Sequence, residues 1–540
     1  MKKKYLDLIA SLGSRRRNFY WWATALSEKN SFTSKFFIRT YQLFCLDRAI
    51  DGIKSDVYIV SSDPVLKTQI ISNYSKKWTI KYSFFFPVLY RLNNFTSFWK
   101  GLAKQVLRAC AEYRKIWICR ALLKEKKKVI KESDKYTVLR GWVDSRNYKS
   151  GKYEDAYFKK LPGFLRALGK NVLIFAGGLS EYEKIIKKFK KDKGNLIIPF
   201  NFYLKGIDIL KNLVAVYCKR PVIRKDIFLE NCNISEIIKA ELLTDIEFGS
   251  FFNAGLQFFA CKRLASSVLI ESFIYTFENY SWEKMSILGI RETSPGAKII
   301  GFQHAFISKN NFKYLTGRGE ESICPLPDRI VTMGKRTLDI MKNYGNYPEG
   351  IFVSGCALRQ EYLFGMERLC RNTGKDVFVP LTITIQDTVK VFRFLYDAGM
   401  AEYPGNIYFR FHPATRVKEI LEKLSFSLPA NFVVSDKVLI KEEMERCSVV
   451  LYTWTTVCLE ALKMGRPVIY LDVNYPLEVD PLFECGYLKD VCRNSEELIE
   501  KIKRMQGMDE SVFSLEAQKA REYIDEYFLP VNNETMRAFL

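Results

Sequence analysis

The chain has 540 residues, of which 48% are hydrophobic and 27% are charged. This composition excludes a disordered protein, and the length predicts two or three domains. The formal net charge of +24 favours an anionic partner such as nucleic acid, an acidic substrate or a membrane surface.

The thirteen cysteines are scattered along the chain and form no C-x-x-C pair. The basic start is not followed by the apolar stretch of a signal peptide, and no apolar run approaches the roughly 18 residues of a spanning helix. We therefore predict a cytoplasmic protein with reduced cysteines. Two histidines without paired cysteines argue against a zinc site.

Short apolar runs alternate with helical patterns along almost the whole chain, which is typical of parallel sheets covered by helices. The strands predicted in the first half are 56–60, 136–139, 171–176, 195–200, 268–275, 298–302 and 329–332. Those predicted in the second half are 351–354, 376–380, 406–411, 431–434, 448–452 and 467–471. The predicted fold class is α/β, with two Rossmann-like halves facing across a cleft, where ligands bind beyond the carboxyl ends of the strands.

A turn-rich stretch at 344–350 follows a helix predicted at 335–343, and we place the boundary between the halves there. The predicted division is an acceptor-side half (1–335), a donor half (336–510) and a C-terminal helix (511–540) that packs back on the first half.

Residues 95–128 carry ten Lys or Arg against two Glu, and their apolar residues recur at helical spacing. A basic amphipathic helix containing Trp99 and Trp117 suits an anionic membrane surface. An ordinary surface helix docked on the core is an equally weighted alternative.

Only two histidines occur, and each directly follows an apolar run that resembles a strand. Histidine is the side chain that changes charge near neutral pH, and it serves as proton donor, proton acceptor or cationic partner of phosphate. His304 and His412 are therefore candidate functional residues. The alternative is that each is a satisfied structural residue at a strand end.

The second half contains the stronger motif. Arg410 and His412 end one strand in an R-x-H-P element, and about forty residues later a Thr-rich turn leads into a helix carrying Glu460. Hydroxyls and unpaired N–H groups at a helix N-terminus form an anion site. A carboxylate one turn later can reach ribose hydroxyls. Arg and His side chains on a neighbouring strand can neutralise a departing phosphate. The threonines concerned are Thr453, Thr455 and Thr456.

In the first half, Glu278 follows the run 268–275, where a strand would deliver a carboxylate into the cleft. That position suits a general base for an acceptor hydroxyl. The alternative is a structural carboxylate bound to backbone N–H groups. Glu283 falls at a predicted helix start and is expected to be a cap or a surface charge.

These residues resemble GT-B-type glycosyltransferases and, more narrowly, bacterial surface carbohydrate biosynthesis proteins. The matching segments span residues 20 to 475 and are Trp21-Trp22, 27–30, 157–162, the FENYSWEK segment, 301–304 and Ser354-Gly355. The R-x-H-P and T-T-x-x-x-E elements are also similar to bacterial sialyltransferases, Kdo transferases and CDP-glycerol polymer transferases. In those families the equivalent groups hold a cytidine nucleotide donor and assist departure of its phosphate. The chain departs from them at Ala305, where glycine often follows the Gln-His pair, and in having Thr where Ser-Ser is frequent.

The resemblance implies a bacterial enzyme, peripheral at the inner face of the plasma membrane, that transfers a sugar from a nucleotide donor to a surface polysaccharide or a lipid-linked acceptor. Glu278, His304 and His412 are its expected catalytic residues. The expected substrate-binding residues are Gln303, Ser354, Gly355, Arg410, Thr453, Thr455, Thr456 and Glu460.

The sequence lacks a D-x-D triplet, a P-loop and a G-x-G-x-x-G fingerprint. We therefore expect transfer without a metal or other cofactor, in which cationic side chains offset the charge of the leaving nucleotide. A CMP-linked acidic sugar is the favoured donor, because basic residues would suit its carboxylate. The alternatives are a CDP-glycerol-type glycerophosphotransferase, a catalytically dead scaffold and a nucleic-acid-binding protein. No recognised nucleic-acid module is present, so no nucleic-acid partner is expected.

Overall fold

The computed structural model describes residues 1–16, 19–75, 79–80, 86–144, 147–149, 152–412, 415–437 and 439–540. None of the helices within those ranges is both long enough and apolar enough to cross a membrane. Pro413 of the R-x-H-P element lies outside the described residues.

The helices of the first part of the chain are α1 (Lys2–Arg16), α2 (Phe36–Ile50), α3 (Pro64–Tyr74), α4 (Phe86–Leu122), α5 (Lys124–Val129), α6 (Leu161–Ala167), α7 (Tyr182–Lys191), α8 (Gly206–Cys218), α9 (Ser235–Phe248), α10 (Ser250–Ala265), α11 (Ser281–Thr293) and α12 (Lys335–Tyr344). Those of the rest are α13 (Ile385–Asp397), α14 (Val417–Leu421), α15 (Ile440–Arg446), α16 (Val457–Lys463), α17 (Leu498–Gln506), α18 (Glu510–Tyr527) and α19 (Asn533–Met536). Short 3-10 helices include Ala25–Glu28, Phe312–Tyr314 and Leu358–Gly365.

The first sheet has seven parallel strands in the order β11-β10-β9-β8-β1-β4-β5. Its members are β1 (Lys135–Trp142), β4 (Asn171–Gly177), β5 (Leu196–Pro199), β8 (Leu269–Thr276), β9 (Lys298–Gln303), β10 (Arg329–Thr332) and β11 (Phe352–Ser354). Two short antiparallel hairpins lie outside it: β2 (Tyr148–Lys149) with β3 (Lys152–Tyr153), and β6 (Phe228–Leu229) with β7 (Cys232–Asn233).

The second sheet has six parallel strands in the order β14-β13-β12-β15-β16-β17. They are β12 (Val377–Pro380), β13 (Ile407–Arg410), β14 (Phe432–Val434), β15 (Val449–Tyr452), β16 (Val468–Leu471) and β17 (Lys489–Cys492). Strands of a parallel sheet are covered on both faces and so consist of apolar runs, as β15 and β16 do. Two parallel α/β sheets confirm the predicted fold class.

Three strand predictions differ from the structure. Residues 56–60 form no strand: Tyr58 and Val60 are almost fully exposed, so this apolar run has no sheet to join. β17 is not among the predicted strands, because Lys489–Cys492, at a sheet edge, begins with two charged residues and contains no apolar run of strand length. β11 was assigned to the second half, but it pairs with β10 of the first sheet. The division of the chain into domains stays a prediction, and this pairing favours a boundary after Ser354.

The C-terminal segment contacts the first sheet and its surroundings. The Tyr527 hydroxyl accepts a hydrogen bond from the Ile307 N–H at 3.2 Å, and the Leu529 N–H donates to the Met333 carbonyl at 2.9 Å. Phe539 packs against Phe302 of β9 with ring centroids 5.3 Å apart. Helix α18 also contacts α16 of the second half, so the segment links the two sheets.

Candidate functional site

The carboxyl edges of the two sheets face each other. The loop after β9 reaches the second half, where the Asn310 side-chain amide donates to the Glu478 carbonyl at 3.2 Å. Phe32, from the segment before α2, packs on Trp454, which follows β15, with ring centroids 5.0 Å apart. The side chains that follow β8, β9, β13 and β15 therefore border one interdomain cleft, the place where ligands bind in open α/β sheets.

Glu278 follows β8 at this edge, and its side chain is partly exposed. Its Oε1 accepts hydrogen bonds from the Lys313 ammonium at 2.9 Å and from the Tyr314 hydroxyl at 3.2 Å. Burial acts to raise the pKa of Glu278, but the charge of Lys313 and these hydrogen bonds outweigh it, and the net pKa lies below its ordinary value. Glu278 is thus an ionised carboxylate held against a cation.

Glu283 lies on the first turn of α11. The prediction that it could be a surface charge is wrong, because its side chain is buried. It is 1% exposed, and its carboxylate accepts hydrogen bonds from the backbone N–H groups of Glu278 and Asn279. Burial, followed by the charge of Glu278, raises its pKa well above the ordinary value. The structural role that was the alternative for Glu278, a carboxylate bound to backbone N–H groups, is therefore filled by Glu283. Its hydrogen bonds hold the backbone of Glu278 and Asn279 in place.

His304 follows β9 and is buried. Its Nδ1 lies 3.2 Å from a guanidinium nitrogen of Arg359, and Tyr157 packs edge-on against the imidazole with ring centroids 4.9 Å apart. Burial lowers the pKa of His304 to about 4; Glu278 opposes this shift, while Arg359 and Lys313 add to it. Because Arg359 can only donate, Nδ1 is the acceptor of a neutral imidazole at pH 7.

This arrangement predicts an acid-sensitive contribution of His304 to stability. The pKa is about 4 in the folded protein and 6.5 in the absence of burial. Between these values the unfolded chain binds more protons, so the free energy of unfolding falls as the pH is lowered through this window, by on the order of 3 kcal/mol. We expect His304→Gln to lose less stability than the wild type between pH 7 and pH 4.5 in urea titrations. If His304→Gln lost as much stability as the wild type between these pH values, the assignment would be contradicted.

Three other predicted residues lie at the same edge but have backbone partners. Gln303 is fully buried; its amide donates to the Ala305 carbonyl and accepts from the Met333 N–H. Gly355 donates its N–H to the Thr332 carbonyl at 3.0 Å, and a side chain there would collide with Val331. Ser354 is the half-buried last residue of β11. These contacts favour structural roles for Gln303 and Gly355, and sugar contact by any of the three stays a prediction.

Glu460 lies in the second half on α16 and is buried. It accepts a hydrogen bond from the Tyr362 hydroxyl at 2.8 Å. Burial raises the pKa of Glu460, and the Tyr362 hydrogen bond and the nearby charge of Arg410 oppose the shift. Arg410 donates to the Lys437 carbonyl at 3.2 Å. Arg410 is therefore near enough for its charge to act on Glu460, and the role of both residues in holding a donor stays a prediction.

The remaining predicted residues lie near the carboxyl edge of the second sheet. His412 is exposed two residues beyond β13, and Thr453 is buried directly after β15. Thr455 accepts a hydrogen bond from the Val457 N–H at 3.3 Å, whereas Thr456 makes no side-chain capping bond to α16. One N–H group at the start of this seven-residue helix is thus already bonded within the protein.

The segment Leu358–Gly365 connects the two parts of the site, and the sequence did not single it out. Arg359 contacts His304 on the first side, and Tyr362 bonds Glu460 on the second. Arg359 also lies over the ring of Tyr157, 4.9 Å from its centroid. The only sequence signal was proximity: the segment begins just after the Ser354-Gly355 motif. Lys313, the partner of Glu278, carried no signal either.

Within the described residues, no group of three or more His, Cys, Asp or Glu side chains is placed to hold a metal ion. Transfer without a metal stays a prediction. The chemistry that the site offers is ionic: a carboxylate and a neutral imidazole on one side, and Arg410, His412 and a carboxylate on the other.

No family model and no curated protein matches the chain. Among solved structures it is similar to the calicheamicin glycosyltransferase CalG4, with 11% identity, a TM-score of 0.42 and coverage of 72% of this chain and 94% of that one. It is also similar to a UDP-N-acetylglucosamine 2-epimerase, with 10% identity, a TM-score of 0.40 and coverage of 75% of this chain and 94% of that one. A third similar structure is the wall teichoic acid polymerase TagF, with 11% identity, a TM-score of 0.34 and coverage of 83% of this chain and 95% of that one. At these TM-scores the likenesses decide neither activity nor substrate.

Proposed function

We propose that this protein is a glycosyltransferase that uses a nucleotide-activated sugar. The observation that supports the proposal is the interdomain cleft, in which an ionised Glu278 borders one sheet edge while Arg410 and Glu460 border the other. A general base and a cationic phosphate site on opposite walls are what direct transfer to an acceptor hydroxyl requires.

In this proposal the donor lies against the second half. Arg410 and His412 offset the charge of the leaving phosphate, Thr453, Thr455 and Thr456 line the same wall, and Glu460 exchanges its Tyr362 partner for ribose hydroxyls. A CMP-linked acidic sugar is the proposed donor, and no metal takes part. Glu278 accepts the acceptor proton, and the acceptor belongs to a bacterial surface polysaccharide or is linked to a lipid.

Nucleotide binding tests the donor site. CMP, CDP, UDP and GDP are compared in thermal-shift titrations, where a ligand at 100 times its dissociation constant adds about 2.7 kcal/mol. We expect CMP to stabilise the wild type, with and without EDTA, and Arg410→Gln to abolish the shift. Arg416→Gln, at an exposed arginine on the same side of the sheet, should retain it. No shift with any nucleotide would contradict the proposal, and phosphorus found in the polymer product would indicate a glycerophosphotransferase.

We propose that α4 makes the membrane contact, and the exposure of its side chains supports this. One face of this helix is buried, with Gln105 bonded to the Ile246 carbonyl and Ile116 5% exposed. A second apolar stripe, spaced by three, four or seven residues, is exposed, and its members are Leu92, Phe95, Trp99, Val106, Tyr113 and Trp117. One face of the helix is therefore docked on the protein, and the other exposes an apolar stripe that would suit an anionic membrane surface.

We expect sedimentation with anionic vesicles to weaken when exposed basic residues beside this stripe become glutamine. At about 1 kcal/mol for each residue near an anionic surface, the change of Arg91, Lys100, Lys104 and Arg114, all exposed on α4, should lower binding at least tenfold. The same change at Lys418, Lys423, Lys441 and Lys503, which are exposed in the second half, removes equal charge elsewhere and should have a smaller effect. Equal weakening by both sets would leave no specific role for α4.

A further inference from the structure

The backbone around His304 is fixed on both sides of the residue. The Gln303 side-chain amide donates to the Ala305 carbonyl and so spans the histidine, and its oxygen accepts from the Met333 N–H at 3.5 Å. Gln303 is fully buried, and His304 is 6% exposed. The direction in which the His304 side chain leaves the backbone is therefore set by contacts that do not involve the imidazole.

Two side chains fix the imidazole itself. The Tyr157 ring packs edge-on against it, with an interplanar angle of 74° and centroids 4.9 Å apart. A guanidinium nitrogen of Arg359 lies 3.2 Å from Nδ1, and the same guanidinium lies over the Tyr157 ring, 4.9 Å from its centroid. Each of the three groups contacts the other two, so a rotation of the imidazole would break contacts with both partners.

An ion pair joins the two segments that carry these partners. Tyr157 lies in the turn before α6, and Arg359 lies in the short helix Leu358–Gly365. The Lys160 ammonium pairs with the Glu361 carboxylate, which connects the turn to the short helix. The two partners of the imidazole are therefore also linked by a contact that does not involve His304.

The chemistry of arginine decides which imidazole nitrogen carries the proton. A guanidinium has five N–H donors and no acceptor, and it stays protonated in proteins. Nδ1 must therefore accept from Arg359, and the proton of the neutral imidazole then lies on Nε2. Among the residues that the structure describes, Arg359 is the only side chain that hydrogen-bonds the imidazole. The Nε2–H group can thus donate to a ligand.

The charges around His304 keep the imidazole neutral. Burial is the largest cause of its low pKa of about 4, and the cations Arg359 and Lys313 lower the pKa further. Glu278 opposes them, but its carboxylate is itself held by the Lys313 ammonium at 2.9 Å. With Nδ1 bonded to a cation and Nε2 protonated, the imidazole is poorly suited to take a proton at pH 7.

We propose that Arg359 is a positioning residue that holds His304 as the Nε2–H tautomer, and that His304 donates this N–H to an oxygen of the bound sugar substrate. The proposal rests on the proposed glycosyltransferase function and divides the work of its first wall. Glu278 takes the proton of the acceptor hydroxyl, whereas His304 orients the substrate and neither gains nor loses a proton during transfer.

Nitrogen NMR of the full-length protein, with isotope-labelled histidine, tests the tautomer without any substrate. The chain has only two histidines, so His304→Gln assigns both sets of signals. We expect His304 to show an unprotonated Nδ1 and a protonated Nε2 at pH 7. Arg359 is exposed, so Arg359→Met should fold, and it should give a mixture of tautomers. Arg359→Lys, which keeps a donor, should restore the wild-type pattern, and Arg416→Met, at an exposed arginine, should not alter it.

Two amide substitutions test the role of His304 in turnover. The glutamine amide nitrogen reaches about as far as Nε2 and can donate, whereas the shorter asparagine reaches only about as far as Nδ1. We expect His304→Asn to lower turnover by about 10²-fold, and His304→Gln to lower it by less than about tenfold. A histidine that acted as the base would lose turnover equally in both variants, because neither amide takes a proton.

The outcomes separate this proposal from the one on which it rests. A protonated Nδ1 in the wild type, an unchanged tautomer in Arg359→Met, or equal losses of turnover in the two amide variants would overturn it, even where nucleotides still stabilise the protein. The expected tautomers in a protein that no nucleotide stabilises would support the role of Arg359 and overturn the transferase.

Discussion

Replacing Glu278 with glutamine is expected to reduce sugar transfer by about 10²–10⁴-fold. The carboxylate is ionised, because Lys313 holds the pKa of Glu278 below its ordinary value against the effect of burial. Glutamine keeps the size of the side chain and can still accept from Lys313 and Tyr314, but it cannot take a proton. The nucleotide-induced thermal shift should therefore persist while turnover collapses.

A matched control exists on the same strand. Glu271 lies on β8 and pairs with Lys170, away from the cleft. Glu271→Gln should keep wild-type turnover, measured as product formed from the nucleotide sugar that the binding screen identifies. If Glu278→Gln also kept most of the wild-type turnover, the base would have to be another group, and His304 would be the next candidate.

Replacing Lys29 with methionine is expected to give the largest loss of stability. The Lys29 ammonium and the Glu320 carboxylate are 2.5 Å apart, and neither side chain is more than 1% exposed. Removing one member of a buried pair leaves the other charge without compensation, which costs about 3–5 kcal/mol. The loss would be read from urea denaturation. Lys29 is the C-cap of the short helix Ala25–Glu28.

An exposed ion pair provides the comparison for Lys29. Lys187 and Glu183 lie on α7, with more than half of each side chain exposed, so Lys187→Met should lose less than about 1 kcal/mol. In the double variant K29M/E320L neither member of this pair remains without its partner, and much of the lost stability should return. A loss below 1 kcal/mol in Lys29→Met alone would show that Glu320 finds another partner.

The contacts of Leu358–Gly365 indicate how the two walls of the cleft influence each other. Arg359 bonds the imidazole on one wall and Tyr362 bonds Glu460 on the other, and only two residues separate them. If a bound nucleotide replaced Tyr362 as the hydrogen-bond partner of Glu460, the position of Leu358–Gly365 would change. The contact between Arg359 and His304 would then change as well. Donor binding and the state of the acceptor side are then coupled through one connecting element.

The sequence by itself determined the two parallel sheets. Their strands are covered on both faces, so each is an apolar run that can be read without knowing its neighbours, as in β4, β15 and β16. Because parallel strands share one carboxyl edge, placing Glu278, His304 and His412 after strands was enough to predict that each lies at a ligand edge. The predictions failed where such a run had no sheet to join, at 56–60, and where charged residues made an edge strand unrecognisable, at β17.

Only the tertiary structure decided which side chains meet. The sequence of the three residues of β11 does not indicate which sheet this strand joins. In the structure β11 pairs with β10 and so belongs to the first sheet. The sequence placed Glu278 after a strand and Glu283 at a helix start, but it did not show that Glu278 contacts Lys313 or that Glu283 is buried under backbone N–H groups. The contacts of His304 with Arg359, of Glu460 with Tyr362 and of Phe32 with Trp454 join residues 55 to more than 400 positions apart. Such contacts depend on how the elements pack, which local apolar patterns do not encode.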